Sequence, residues 1–184
     1  YMELVKNIKH AKIIKCVFFA ILGSILLAIS SKIKIPFYPV PMTMQTLVVL
    51  LIGIVFGWKL GIATIALYLF EGIIGLPVFA GTPEKGVGLA YFVGPTMGYL
   101  IGFIFACMLA GYFQYSKNYV LNFIKILLST SLIYAFGLLW LGTLIGWDKP
   151  ILKLGMFPFL YAELFKILLL TVIVNKVIKL RNFI

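Results

Sequence analysis

The chain has 184 residues, of which 63% are hydrophobic and only 11% charged, with a net charge of +11 and a mean hydropathy of +1.13. So little polar surface excludes a water-soluble enzyme, a nucleic-acid-binding module and a disordered segment. The basic excess is then read as membrane orientation and attraction to anionic lipid. The apolar runs do not alternate with polar positions, so an outer-membrane barrel is excluded too. What remains is an all-α multi-pass membrane protein, one integral membrane domain over 1–184.

In chain order, residues 1–15 form a basic N-terminal segment. Its Lys6, Lys9, Lys12 and Lys15 recur at a spacing of three and share one helical stripe. A first, uncleaved span is predicted over 16–31. Pro36, Pro39 and Pro41 make 32–42 an extended connection. Two spans follow, 43–57 and 60–75, parted by a turn from Gly57 to Gly61. Residues 76–93, glycine-rich and containing Pro77 and Pro83, form a long loop. A fourth span covers 95–112, and the polar break Tyr115-Ser116-Lys117-Asn118 precedes a fifth over 120–141. A second loop occupies 142–157, and Pro158 suits the first turn of a sixth span, 158–178.

Both ends are basic, so the passes are even in number and both termini are predicted on the cytoplasmic side. That side then holds ten of the sixteen basic residues, Lys59 and Lys117 among them, against five outside, including Lys85 and Lys149. No internal repeat supports a paired-repeat transporter plan. The stretch Gly81–Gly86 imitates part of a phosphate loop but is followed by Val87, so no nucleotide site is expected. The single histidine, His10, lies in the basic segment, and Cys16 and Cys107 are far apart without metal-ligand spacing. No catalytic centre, metal site or cofactor is therefore expected.

Glu163 and Lys166 are the residues that packing alone does not explain. At i and i+3 they share a face of the sixth span, and either charge at mid-membrane costs about 2.5–3.5 kcal/mol on insertion scales. Counted from Pro158, Glu163 lies roughly 8 Å along the helix axis, within reach of a cavity open to the outside. The pair holds a polar ligand between an acceptor and a cation, or it only neutralises itself. Glu71, a second intramembrane acid, has three readings: it snorkels to the surface, pairs with Lys85 or lines the same cavity. Gly94, Gly98, Gly102, Ala106 and Ala110 make a small-residue ridge for close helix packing. Ala20, Ser24 and Ala28 repeat that pattern on the first span, for internal packing or for docking a partner.

Three motifs in order carry a family resemblance: Pro39-Val40-Pro41-Met42-Thr43-Met44-Gln45-Thr46-Leu47, Leu76-Pro77-Val78-Phe79-Ala80-Gly81 and Gly94-Pro95-Thr96-Met97-Gly98-Tyr99. Over about 13–180 the chain resembles the BioY family, the biotin-specific substrate-binding (S) components of energy-coupling-factor (ECF) transporters. The resemblance implies a six-helix S-component fold in a prokaryotic cell membrane and high-affinity capture of biotin from outside. It implies partners, a transmembrane coupling protein and two ABC-type ATPases, and no enzymatic activity. It favours the coupling protein as the partner of Ala20, Ser24 and Ala28. The family's last helix carries Pro-Gly-Asp-x-x-Lys, whose Asp and Lys hold the vitamin. Tyr161, Ala162, Glu163 and Lys166 stand at the matching positions.

Biotin has a carboxylate tail, an apolar body and a ureido head with two N–H donors. Lys166 is expected to pair the carboxylate and Glu163 to accept from the ureido. Thr43 and Gln45 are expected at the ureido carbonyl. Phe79, Tyr91, Phe92 and Tyr99 are expected to wall the apolar part, with Lys85 a second cation for the tail. The alternatives are an S component for a relative such as dethiobiotin, a membrane-embedded enzyme and an assembly subunit.

Overall fold

The computed structural model describes the backbone of residues 2–82, 84 and 86–184, and side chains within that set from Lys12 onward. Helix α1 spans Met2–Lys32, so the basic N-terminal segment is helical and continuous with the first span. The three prolines end it as expected. They lie between two short strands, β1 (Lys34–Ile35) and β2 (Met42–Thr43), which pair antiparallel with Lys34 opposite Thr43.

The second and third predicted spans are joined as α2 (Gln45–Ile73), interrupted at Gly57, where φ is 75° and ψ 169°. A side chain disfavours that φ, and glycine does not. The chain reverses there. Gln45 Nε2 donates to Tyr68 Oη at 2.7 Å, whereas a straight helix would hold the two about 34 Å apart. Gly53 and Gly61 meet across the hairpin, and a Cβ on Gly61 would lie 3.5 Å from the Gly53 Cα. Counting the two arms of α2, six long helical segments are present among the described residues, matching the six apolar runs.

A 3-10 helix (Gly88–Val93) leads to α3 (Met97–Tyr112), followed by α4 (Tyr119–Ile145), a short α5 (Ile151–Gly155) and α6 (Leu160–Val177). Asn118 caps α4 by accepting from the Leu121 N–H at 3.1 Å. Helix α4 runs four residues past its predicted end, because Gly142 continues the helix and receives the ring of Trp147.

The small-residue ridge puts α3 at the centre of the bundle. Gly98 and Gly102 abut the backbone of α4 at Phe136, Gly137 and Ile133. Further along, Ala110 and Gly111 face the first arm of α2 at Gly53 and the turn at Gly57. The other end of the bundle is closed by Arg181, whose Nη2 donates to the Gly111 carbonyl at 2.6 Å. Outward faces are apolar: Ile14, Phe18, Ile25 and Ile29 on α1 and Leu164, Phe165 and Val172 on α6 are all exposed. Such a surface suits lipid and not water.

Helix α1 turns its small stripe inward. Ser24 is fully buried and donates to the Glu71 carboxylate on the second arm of α2. Ala20 and Ala28 are half-buried on the same side. The expectation of a partner face is thereby corrected for Ser24, which packs against α2; Ala20 and Ala28 keep part of their surface open. The same bond accounts for Glu71, which lies away from the cavity described next.

Candidate ligand-binding site

The connection between α1 and α2, the segment after α2 and the chain before α6 converge at one end of the bundle. They enclose a cavity with walls from α2, α3, α4 and α6. The space between atoms is about 520 Å³ counting its mouth, of which about 50 Å³ is free to water-sized solvent. Glu163 lines it from α6, Gln45 and Thr46 from the start of α2, Tyr99 from α3 and Tyr91 from the 3-10 helix.

The polar wall is a closed triangle of side chains. Lys166 Nζ donates to Glu163 Oε1 at 2.7 Å, to Thr46 Oγ1 at 3.0 Å and to the Thr43 carbonyl at 2.6 Å. Thr46 Oγ1 in turn donates to Glu163 Oε1 at 2.8 Å. Glu163 and Lys166 are 5% and 3% exposed, so the pair is fully desolvated, where separation of either partner is most costly. All three ammonium hydrogens are engaged within the protein. Glu163 Oε2 is different: it is the buried side-chain polar atom among the described residues that has no hydrogen-bond partner. An acceptor left so in a low-dielectric interior costs about 1–3 kcal/mol unless a donor reaches it.

The structure therefore redistributes the roles expected from the sequence. Lys166 does not line the cavity and has no hydrogen left for a carboxylate, so its expected pairing with a ligand tail is corrected. It holds Glu163 instead. Thr43 lines the cavity but gives Lys166 its carbonyl, and its hydroxyl turns toward Gln45. Gln45 lines the cavity with its amide nitrogen bonded to Tyr68.

Tyr91 and Tyr99 are cavity walls as expected. Burial holds the Tyr91 phenol above its ordinary pKa range, so it serves as a neutral donor, to the Ala80 carbonyl at 2.6 Å. Tyr99 Oη donates to the Gly155 carbonyl at 2.7 Å and fastens α5 over the site. Phe79 and Phe92 are corrected to a second layer. Phe79 stacks behind Tyr91 with centroids 4.8 Å apart, and Phe92 meets Phe79 edge-on at 5.4 Å. Lys85 lies outside the described residues.

Sequence reasoning missed Thr46, Tyr134 and Phe159, which all line the cavity. Thr46 carried a signal: it follows Gln45 in the same motif. Helix α2 begins at Gln45 and turns Thr46 toward α6. Tyr134 and Phe159 had no such mark, being aromatic residues in apolar surroundings.

Comparison with known proteins adds a consistent set of relatives. The family model described as "BioY family" matches residues 4–183. A probable biotin transporter BioY from Pyrococcus horikoshii is 36% identical over 141 residues, covering 77% of this chain and 82% of the relative. Biotin transporter BioY2 from Lactococcus lactis subsp. cremoris is 36% identical over 155 residues, covering 82% and 83%. A crystal structure of the S-component for biotin from an ECF-type ABC transporter superposes with a TM-score of 0.76 at 27% identity, covering 92% of this chain and 93% of that one.

Proposed function

The chain belongs to the BioY family, and from that premise we propose that it captures biotin at the membrane as the substrate-binding component of an ECF-type vitamin importer. The observation that carries the chemistry is the unpartnered Oε2 of Glu163. Lys166 and Thr46 neutralise and hold Oε1; Glu163 lines a largely apolar, aromatic cavity, and its second oxygen is read as the anionic acceptor offered to a ligand there. The ureido N–H groups of biotin are donors suited to it, and a charge-assisted bond there contributes roughly 1.5–3 kcal/mol. Tyr91, Tyr99 and Phe159 provide the flat apolar walls for the bicyclic body. The tail carboxylate is left to the mouth of the cavity, and Lys85 is the cation proposed for it from the sequence.

Capture is not transport. The chain's one phosphate-loop-like stretch lacks the lysine and hydroxyl that hold nucleotide. The driving force is assigned to a transmembrane coupling protein and two ABC-type ATPases that reorient the loaded subunit. The crystal structure of an ECF-type biotin S-component that this chain resembles supports that assignment. The cavity end faces outward in this reading, in line with the excess of basic residues at the other end.

The test is a calorimetric titration of the purified protein with biotin, dethiobiotin and lipoate side by side. Biotin and dethiobiotin both carry the ureido donors, whereas lipoate carries the tail and a sulfur ring without them. Binding of the first two and not the third is expected, with biotin the tighter. Equal binding of lipoate would sink the role of Glu163, and no binding of biotin would sink the function.

A further inference from the structure

Residues 78–82, without a helix or strand of their own, carry Ala80 into the wall of the cavity. The phenol of Tyr91, another wall residue, holds the Ala80 carbonyl. Within the segment the Thr82 N–H and hydroxyl donate to the Phe79 carbonyl at 3.3 and 2.7 Å, and the end of α1 supplies further donors. Lys32 Nζ donates to the Phe79 carbonyl at 3.0 Å, the Thr82 carbonyl at 3.2 Å and Thr82 Oγ1 at 3.1 Å. Ser31 Oγ donates to the Val78 carbonyl at 2.7 Å. Tyr68 Oη donates to the same carbonyl at 3.1 Å and accepts from Gln45, a cavity residue.

We propose that Lys32 is a positioning residue for ligand capture, latching segment 78–82, with its wall residue Ala80, to the end of α1. The inference rests on the biotin-capture reading. With about 50 Å³ free to water-sized solvent, a bicyclic ligand enters and leaves only when a wall moves. The α3–α4 side is fixed by glycine contacts made backbone to backbone. Segment 78–82 has no ladder of its own and is held by side-chain bonds, which open at lower cost than regular structure. The Lys32 anchor is itself exposed to solvent, so its three bonds can be exchanged for water. Helix α1 turns an apolar face outward, free of the rest of the bundle. A shift of α1 therefore withdraws Ser31 and Lys32 together and loosens the wall.

Two readings of the full-length protein in lipid nanodiscs decide it. The first is the dissociation rate of radiolabelled biotin. The second is amide hydrogen exchange across 78–82 without ligand. Lys32→Met keeps the aliphatic stem and removes the donors. About tenfold faster dissociation is expected, the loss of roughly one charge-assisted bond, with association no slower and exchange at the Thr82 amide accelerated. Lys32→Arg should recover most of the parent rate. Dissociation from Lys32→Met at the parent rate overturns the proposal, even with a lower melting temperature, because Lys32 is then only a stabilising contact. If Lys32→Met does not fold, Thr82→Val, which removes one Lys32 acceptor and the hydroxyl's own bond to the Phe79 carbonyl, gives the reading at about threefold or more. If the parent retains no biotin, the capture reading fails, and unchanged exchange in the variant would separately refute the latch.

Discussion

Glu163 has two oxygens with different work. Oε1 takes donors from Lys166 and Thr46, and Oε2 has no partner within hydrogen-bond geometry, with the Tyr134 phenol the neighbour of this carboxylate in the cavity wall. In Glu163→Gln the amide oxygen must occupy the first site, because both neighbours there are donors. The amide NH2 then faces the ligand with hydrogens where an acceptor is needed. Biotin affinity is expected to fall about 10- to 150-fold, the range for one charge-assisted bond. The single change also leaves Lys166 without its counter-charge, at a cost of about 3–5 kcal/mol in stability. The double change Glu163→Gln with Lys166→Met removes both charges and should restore the melting temperature while biotin affinity stays as low as in the single variant. Calorimetry and thermal unfolding on the three proteins separate recognition from folding. Recovery of biotin binding in the double variant would show that the carboxylate is not the acceptor.

Helix contacts in a membrane gain little from burying apolar surface, since lipid is equally apolar, so close packing carries more of the association. Helix α3 shows how. A Cβ on Gly102 would lie 2.7 Å from the Ile133 Cα and 3.0 Å from its carbonyl oxygen. Both are backbone atoms that cannot rotate away. Gly102→Ala must push α3 from α4, at a cost of about 1–3 kcal/mol, and lower the melting temperature by roughly 2–12 °C for a domain of this size. Gly94→Ala meets one carbonyl, that of Tyr91, at 3.1 Å and should cost less. Similar melting temperatures for the two variants would contradict a ridge that works through backbone approach.

The whole molecule has two unlike ends. One gathers the β ribbon, Ala80, the 3-10 helix Gly88–Val93 and the chain before α6 around the cavity. The other holds the Gly57 turn, the break at 113–118 and the Arg181 plug. With the cavity outward, a cysteine at Lys149, which is exposed, should react with an impermeant thiol reagent on intact cells. A cysteine at Lys117, also exposed, should react only after the cells are opened. The reverse pattern would invert the orientation. The charge asymmetry behind this expectation is a property of the chain alone.

Much of the architecture was legible for the same reason. Apolar runs about 20 residues long, proline breaks and a four-residue spacing of glycine and alanine are local patterns with local causes. They led to six helices, the reversal near Gly57 and the packing ridge. The cost of a charge in lipid singled out Glu163 and Lys166 without any partner in view. What each does was decided by tertiary contacts. Thr46 stands 117 positions from Glu163 and the Thr43 carbonyl 123 from Lys166. Only their meeting consumes the lysine's hydrogens and leaves one carboxylate oxygen free. Ser24 turned inward because Glu71, 47 positions away, was there to accept its hydrogen. Spacing along one helix tells which residues share a face. Which oxygen, which hydrogen and which neighbour meet across helices is set by how separate elements pack, and hydrogen bonds are too short-ranged and directional to be inferred without it.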